Sequence, residues 1–441
     1  MKYRYAKNQN KEGGFLMKKE ILDNQIKPLN LEQSYQMLNE ARQVTPGGAL
    51  GIRKPERAVY GEYPVFFEKA NDMHVVDVDG NDYIDYQCGW GPIVLSFVNE
   101  EINNAVINRI KKGFCFSVVQ REKLKLEEKL KEIIPCCEKS IITKTGSDAV
   151  TIALRLARAY TGKNKVASWG YHGWHDWCTY ERFNDKSIPK NIKELTVVVP
   201  WGDLDSMERI LSNDKDIAAI IVTPIFHELF TPVEGSVEYL RGLRKLADKY
   251  SVVLVFDEIR TGFRMAIGGA QEYYGVTPDL GCFGKAMANG YAISAVCGKK
   301  DIMDMAVDKV AISSTFFPNS LEIVAALKTI EIIERDNVME VIRDKGSYLK
   351  NKCDEITSKY RNVKAYYATD GELSCFPLIL FKEQDKLEEK REYFFTYLIR
   401  KGVLLHPSHH GYIAFKHTKK DLDYTLEVID EALNFLDRKY V

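Results

Sequence analysis

Val255-Phe256-Asp257-Glu258 closes an apolar run with two adjacent carboxylates, and Gly281-Cys282-Phe283-Gly284-Lys285 closes the next with a lysine flanked by small residues. An amine held in apolar surroundings loses proton affinity, and the neutral form is a nucleophile toward a carbonyl carbon. A carboxylate at the tip of the neighbouring strand could ion-pair a protonated ring nitrogen. Pyridoxal phosphate chemistry calls for both: a Schiff-base lysine, and an acid that keeps the ring cationic so that it accepts electrons from the substrate. Taken singly, Asp257 reads as a helix N-cap and Lys285 as a surface lysine. Their order and shared strand-end context carry the reading. Lys285 is not a P-loop lysine, because Asp279 stands where the first glycine belongs and Ala286 where a hydroxyl would meet magnesium.

A phosphate needs its own seat, and Thr145-Gly146-Ser147-Asp148-Ala149 offers one between a short strand and a helix. Unpaired amides at a helix N-terminus with small hydroxyls bind phosphate, although the same residues also read as a plain capping turn. Gly170-Tyr171-His172-Gly173 closes the next strand, which puts Tyr171 where an aromatic could cover one face of a planar cofactor. His175, close to His172, sits in a tryptophan-flanked loop, and His406, His409, His410 and His417 lack thiolates or carboxylates at ligand spacing, so no metal is expected. Cys136-Cys137 is adjacent rather than a CxxC pair, and Ser147 lacks the glycine elbow of a hydrolase nucleophile.

These residues sit on a recognisable alternation. From about residue 120, charged periodic segments at 123–134, 150–160 and 240–250 read as helices. Short β-branched runs at 140–143, 165–169, 195–199, 218–222 and 252–256 read as strands, the pattern of parallel βαβ units whose functional loops lie at strand C-terminal ends. Upstream, 31–43 has helical spacing, and 74–85 reads as two strands around Asp79-Gly80-Asn81. Past about residue 305, 321–335 and 339–356 are amphipathic helices, followed by mixed α+β. The expected organisation is a polar tail (1–30), an N-terminal segment packing with the small domain (31–95), a large α/β domain (96–305) and a small α+β domain (306–441).

Composition narrows the partners. Lys+Arg and Asp+Glu both number 62 in 441 residues, so no net field draws the chain to nucleic acid or an anionic membrane. Nine cysteines without dense spacing read as reduced thiols in a cytosol. The first residues carry charge without an apolar stretch behind them, and no 18 apolar residues run together, so neither a secretory signal nor a membrane span is expected.

The longest ordered motif, Val255-Phe256-Asp257-Glu258-Ile259-Arg260-Thr261-Gly262-Phe263-Arg264 with Asp279-Leu280-Gly281-Cys282-Phe283-Gly284-Lys285-Ala286-Met287-Ala288-Asn289-Gly290, resembles the class III aminotransferases of the type I pyridoxal phosphate fold. Within them the chain looks most like the glutamate-1-semialdehyde aminomutase group, from Thr45-Pro46-Gly47-Gly48 to about Thr418. The resemblance implies pyridoxal 5'-phosphate as cofactor, Lys285 as the Schiff-base lysine and Asp257 as the ring-nitrogen partner. It also implies Gly146 and Ser147 as phosphate contacts, Tyr171 as the stacked aromatic, and Thr315 in Ser314-Thr315-Phe316 as a phosphate contact to the neighbouring subunit of a homodimer. On the substrate side Trp90, in Gly89-Trp90-Gly91-Pro92, resembles a pocket-wall aromatic. Arg53 lies near where the mutase holds a substrate carboxylate, the task a guanidinium fork suits.

Departures separate the chain from the mutase. Thr223-Pro224 replaces a common Glu-Pro, Ser96-Phe97-Val98-Asn99 replaces a glycine and histidines, and Pro407-Ser408-His409-His410-Gly411-Tyr412 replaces a longer segment with a glutamate. Phe97, Thr223 and His409-His410-Gly411 are expected to face the pocket. The expected activity is therefore transfer of an amino group from a donor, glutamate by family default, to a small carbonyl metabolite. The Trp174–Trp177 loop and His409-His410 suggest an acceptor larger or more polar than glutamate semialdehyde, a keto sugar or biosynthetic aldehyde among the candidates. An intramolecular aminomutase is the alternative enzyme, and a non-catalytic pyridoxal phosphate-binding regulator the alternative of another class. The neutral charge and short N-terminal tail speak against the last.

Overall fold

The computed structural model describes residues 26–49, 54–59, 61–183, 185–225, 236–361, 363–366, 378–381 and 386–440. Among them the central element is a seven-stranded sheet in the order β4-β10-β9-β8-β7-β5-β6. Its strands are β4 (Lys139–Thr143), β5 (Lys165–Trp169), β6 (Thr196–Val198), β7 (Ile217–Val222), β8 (Val253–Asp257), β9 (Leu280–Phe283) and β10 (Ser294–Gly298). From β6 to β9 neighbouring strands are parallel, and β10 runs antiparallel to both β9 and β4. The α/β class read from the alternation is what forms.

Burial on both faces explains the unbroken apolar runs. In β7 all six residues are buried. Ala219 and Ile221 join one core cluster, and Ile220 and Val222 join another on the opposite face. Nine helices matter here: α1 (Glu32–Val44), α2 (Glu100–Ile110), α3 (Arg121–Ile133), α4 (Gly146–Thr161), α5 (Ser236–Tyr250), α6 (Ser320–Arg335), α7 (Val338–Ser358), α8 (Leu387–Arg400) and α9 (Lys419–Tyr440). Helix α4 supplies Ala149, Val150, Ala153 and Ala157 to the first cluster, and α5 supplies Tyr239, Leu240, Leu243 and Ala247 to the second. A strand covered on both faces gains from every side chain, at about 1.5–3 kcal/mol per large aliphatic group removed from water.

A second, four-stranded sheet has the order β1-β2-β3-β13, from β1 (Phe67–Asn71), β2 (His74–Asp77), β3 (Asp82–Asp85) and β13 (Val403–Leu404). The pair expected over 74–85 is there, turning through Gly80 at φ +88°. It is extended on both sides, by β1 and by β13, which pairs in parallel with β3 from more than 300 residues downstream. Strands β11 (Val363–Tyr366) and β12 (Leu378–Phe381) form a separate antiparallel pair.

Residues that depart from the resembled group help to hold the frame. Phe97 packs against the cluster of Val59, Tyr63, Val75 and Tyr83 and also against that of Met73, Ile93 and Tyr412. Asn99 caps α2, its side chain accepting from the Ile102 amide at 3.1 Å. In the Trp174–Trp177 loop, Trp177 is buried, donating to Thr151 Oγ1 at 3.0 Å, and Trp174 is exposed. No helix among the described residues is long and apolar enough to cross a membrane.

Candidate active site

Asp257 is the last residue of β8, and its carboxylate is buried at the edge where three strand-end loops meet. Oδ1 accepts from the Ile259 amide at 3.1 Å, and Oδ2 lies 2.7 Å from His172 Nδ1. His172 comes from the loop after β5, on the far side of β7, and its ring stacks on Trp177 at 5.7 Å. The other ring nitrogen, Nε2, lies 3.0 Å from the Trp169 carbonyl, which can only accept, so Nε2 carries a proton. The contact between Nδ1 and Oδ2 needs a second proton. The pair therefore holds two protons, either as imidazolium and carboxylate or as imidazole and carboxylic acid. Sequence reasoning weighed His172 only as a metal ligand, because residue type does not reveal which ring atom faces which group.

Glu258, beside it, does structural work. Its carboxylate accepts from the amides of Ala270 (2.8 Å) and Gln271 (2.9 Å) and from the Thr261 hydroxyl. Burial nonetheless pushes its pKa up to about 7, against the downward pull of those hydrogen bonds.

Lys285 follows β9, the strand beside β8, whose register sets Asp257 opposite Cys282. The lysine is half-buried and sits at φ +47°, in the left-handed region that ordinary residues avoid. Such strain persists where the surroundings impose it. Here Gly284 lets the chain pass Ser294, whose hydroxyl would lie 2.5 Å from an added Cβ. Asn289, also at positive φ, ties the turn down by accepting from the Val94 and Leu95 amides (3.0 and 2.9 Å) and donating to the Ser96 carbonyl (2.9 Å).

Helix α4 begins at the same edge. Thr145 and Asp148 form a reciprocal capping box, and the Asp148 and Ala149 amides go to Thr145 Oγ1 and its carbonyl. The two earlier amides, of Gly146 and Ser147, head the helix where an anion is favoured. A Cβ on Gly146 would press Ile259 at 3.1 Å, and one on Gly173 would sit 2.1 Å from Ser147 Oγ. The loops after β4, β5 and β8 are thus in contact around a glycine-cleared space. Tyr171 stands exposed beside it.

A wall of aromatics faces these groups from the other sheet. Trp90, at φ +72°, meets His409 edge-on at 4.7 Å and His406 at 5.2 Å, and His406 meets Tyr63 at 5.8 Å. Burial lowers His406 to about 4. It lowers His409 to about 3, helped by the positive charges of Arg260 and Lys285. Both rings are neutral at physiological pH. Behind them Tyr412 lies under the guanidinium of Arg264 (4.7 Å), whose three nitrogens donate to the carbonyls of Gly91, Ile413 and Ile93 at 2.6–3.0 Å. Arg260 reaches the same ring at 6.0 Å. Neither His406 nor Arg260 was singled out from the sequence for this site; the arginine inside the long motif was the available signal.

Arg53 lies outside the described residues. Thr315 lies in an exposed stretch with Ser314 and Phe316, before α6.

The donor set fits pyridoxal 5'-phosphate: a buried acid with a protonated partner for a ring nitrogen, a constrained lysine one strand away, and a glycine-cleared helix N-terminus for the phosphate. Comparisons agree. The family described as Aminotransferase class-III matches residues 57–433. The chain is 48% identical over 413 residues to the 3-aminobutyryl-CoA aminotransferase of Cloacimonas acidaminovorans (strain Evry), covering 92% of this chain and 97% of the relative. It is 32% identical over 434 residues to a glutamate-1-semialdehyde 2,1-aminomutase of Fusobacterium nucleatum subsp. nucleatum, covering 92% and 99%. A solved structure of the PLP internal aldimine form of the FumI protein of Sphingopyxis sp. MTA144 superposes with a TM-score of 0.85 at 28% identity, covering 92% of this chain and 97% of that one.

Proposed function

This chain belongs to the class III aminotransferases, pyridoxal 5'-phosphate enzymes, and we propose that it exchanges the amino group of a 3-aminoacyl thioester with the carbonyl of a 2-oxo acid. The observation that carries the reading is the 48% identity, along nearly the whole chain, to a 3-aminobutyryl-CoA aminotransferase. The thioester takes the place of the keto sugar or aldehyde considered from the sequence. Its C3–N bond breaks, C3 becomes a carbonyl, and the nitrogen ends on the α-carbon of an amino acid such as glutamate.

The bound cofactor supplies the electron sink and carries nitrogen between the two half-reactions. This chain's residues do the rest. Lys285 Nζ would hold the cofactor between turnovers and, once displaced by substrate, would take the proton from C3 and deliver it to the cofactor carbon that keeps the nitrogen. Asp257, with His172 behind it, keeps a positive charge on the ring nitrogen. Gly146 and Ser147 receive the phosphate, Tyr171 covers the ring, and Trp90 walls the substrate side. We place Thr315 at the phosphate of a partner subunit in a homodimer. Support for that assembly is an exposed apolar strip: Phe116, Val118 (70% exposed) and Val119 (65%) beside Phe316, on segments joined where the Ser320 amide donates to the Phe114 carbonyl at 3.1 Å.

The test is a half-reaction on purified holoenzyme. Adding 3-aminobutyryl-CoA should remove the visible cofactor band, and 2-oxoglutarate should restore it, with ping-pong kinetics overall. No spectral response to the thioester would end the proposal. The aminomutase remains a second reading on the strength of the 32% identity to that group. Efficient conversion of glutamate semialdehyde to 5-aminolevulinate without added donor or acceptor would establish it instead.

A further inference from the structure

Burial keeps the His406 and His409 rings neutral, so each carries a single proton, and their backbone partners fix where it lies. His406 Nδ1 is 3.1 Å from the Ser408 amide, which can only donate, so Nδ1 accepts and the proton is on Nε2. The Ser408 hydroxyl reaches the same nitrogen at 3.2 Å. His409 is the reverse. Its Nδ1 is 2.9 Å from the His410 carbonyl, which can only accept, so the proton is on Nδ1 and Nε2 keeps its lone pair. Neither Nε2 has a hydrogen-bond partner among the described residues.

Both rings lie against one indole, Trp90 meeting His406 at 5.2 Å and His409 at 4.7 Å. Tyr63 flanks His406 at 5.8 Å and Tyr412 flanks His409 at 6.0 Å. The charge of Lys285 acts on the His409 ring, which sets this end of the wall within reach of the reacting amine. An aromatic surface thus offers two uncharged polar groups, one N–H and one lone pair. A carboxylate presents acceptors only and would set its charge against the His409 lone pair. A thioester on a pantetheine arm presents an acceptor, the C1 carbonyl, and then, beyond the sulfur and two methylenes, the N–H of an amide. Acceptor followed by donor is the complement of the two rings, and a buried polar group left without such a partner is costly.

Resting on the proposed function and deepening it, we infer that His406 Nε2 donates to the thioester carbonyl of the substrate and His409 Nε2 accepts from the first amide N–H beyond its sulfur. The pair determines specificity for the acyl arm and moves no proton in the reaction.

The experiment measures the amino-donor half-reaction of holoenzyme with two synthetic thioesters of 3-aminobutyrate, one on N-acetylcysteamine, which keeps the amide, and one on methanethiol, which lacks it. The parent should prefer the N-acetylcysteamine thioester. His409→Leu should lose about tenfold in kcat/KM with that substrate, the scale of one neutral hydrogen bond, and nothing with the S-methyl thioester. His406→Leu should lose about tenfold with both, chiefly in KM. His406→Gln supplies an N–H and His409→Gln an acceptor, so each should recover part of the loss; these variants also serve if a leucine variant loses its cofactor band. Equal losses by His409→Leu on the two thioesters, or parental kinetics in either leucine variant, would overturn the assignment while leaving the thioester reading in place. A parent that transaminates with glutamate but responds to neither thioester would overturn both.

Discussion

Because His172 must carry a proton on Nδ1, or receive one from the acid, to sit 2.7 Å from Asp257, the acid at the end of β8 works as half of a hydrogen-bonded pair. An amide at 257 keeps the shape and loses the charge. Asp257→Asn is expected to retain cofactor, seen in the visible band, and to lose on the order of 10²-fold or more in kcat, the scale of other contacts to charge that develops in the transition state. Turnover near that of the parent would remove Asp257 from the chemistry. At this scale the sequence was legible where a residue's type and its place at a strand end sufficed, as for Asp257 and Lys285. It was silent where the answer lay in geometry between distant segments. His172 and Asp257 are 85 residues apart, and nothing in either neighbourhood announces that they meet. Phe97 is a departure from the resembled group whose packing against two apolar clusters the sequence did not announce.

The loop after β5 bears on the same space through its backbone. Gly173 at φ +101° brings the Trp174 amide within 3.4 Å of Ser147 Oγ, and a methyl group there would collide with that oxygen. Gly173→Ala should therefore push the head of α4 out of place, at about 1–3 kcal/mol of backbone strain before the clash is counted. The expected result is cofactor lost at least about tenfold faster in dialysis, with little change in the circular dichroism of the fold. Retention equal to the parent would show that the α4 head is not the phosphate seat. Most elements could be read from periodicity because the central strands are apolar on both faces and their helices have one apolar side. Two escaped. Strand β1 is exposed along most of its length, so it lacks the alternation that betrays a strand, and α2 is rich in asparagine and glutamate. The reversed direction of β10 was equally hidden, since an apolar run is the same read either way.

For the molecule as a whole, the proposed dimer is tested by mixing subunits. Lys285→Ala and Thr315→Asp subunits should each be nearly inactive alone, the second because its carboxylate repels the partner's phosphate. If Thr315 serves the neighbouring site, co-refolded mixtures place both lesions in one site of each heterodimer and none in the other. About a quarter of parental activity should return at equal mixing, by random pairing of two subunit types in a twofold assembly. Absence of recovery in mixtures shown by mass spectrometry to contain heterodimers would put Thr315 in its own subunit's site or in none. The pairing of β13 with β3 has a consequence of another kind. During synthesis the strand carrying Asp82–Asp85 leaves the ribosome long before residues 403 and 404 exist, so for most of translation one edge of the smaller sheet has no neighbour. Closing so long a loop is slow, and an open edge invites other chains in the interval. The cell must carry this enzyme through that interval before any copy can fold to completion.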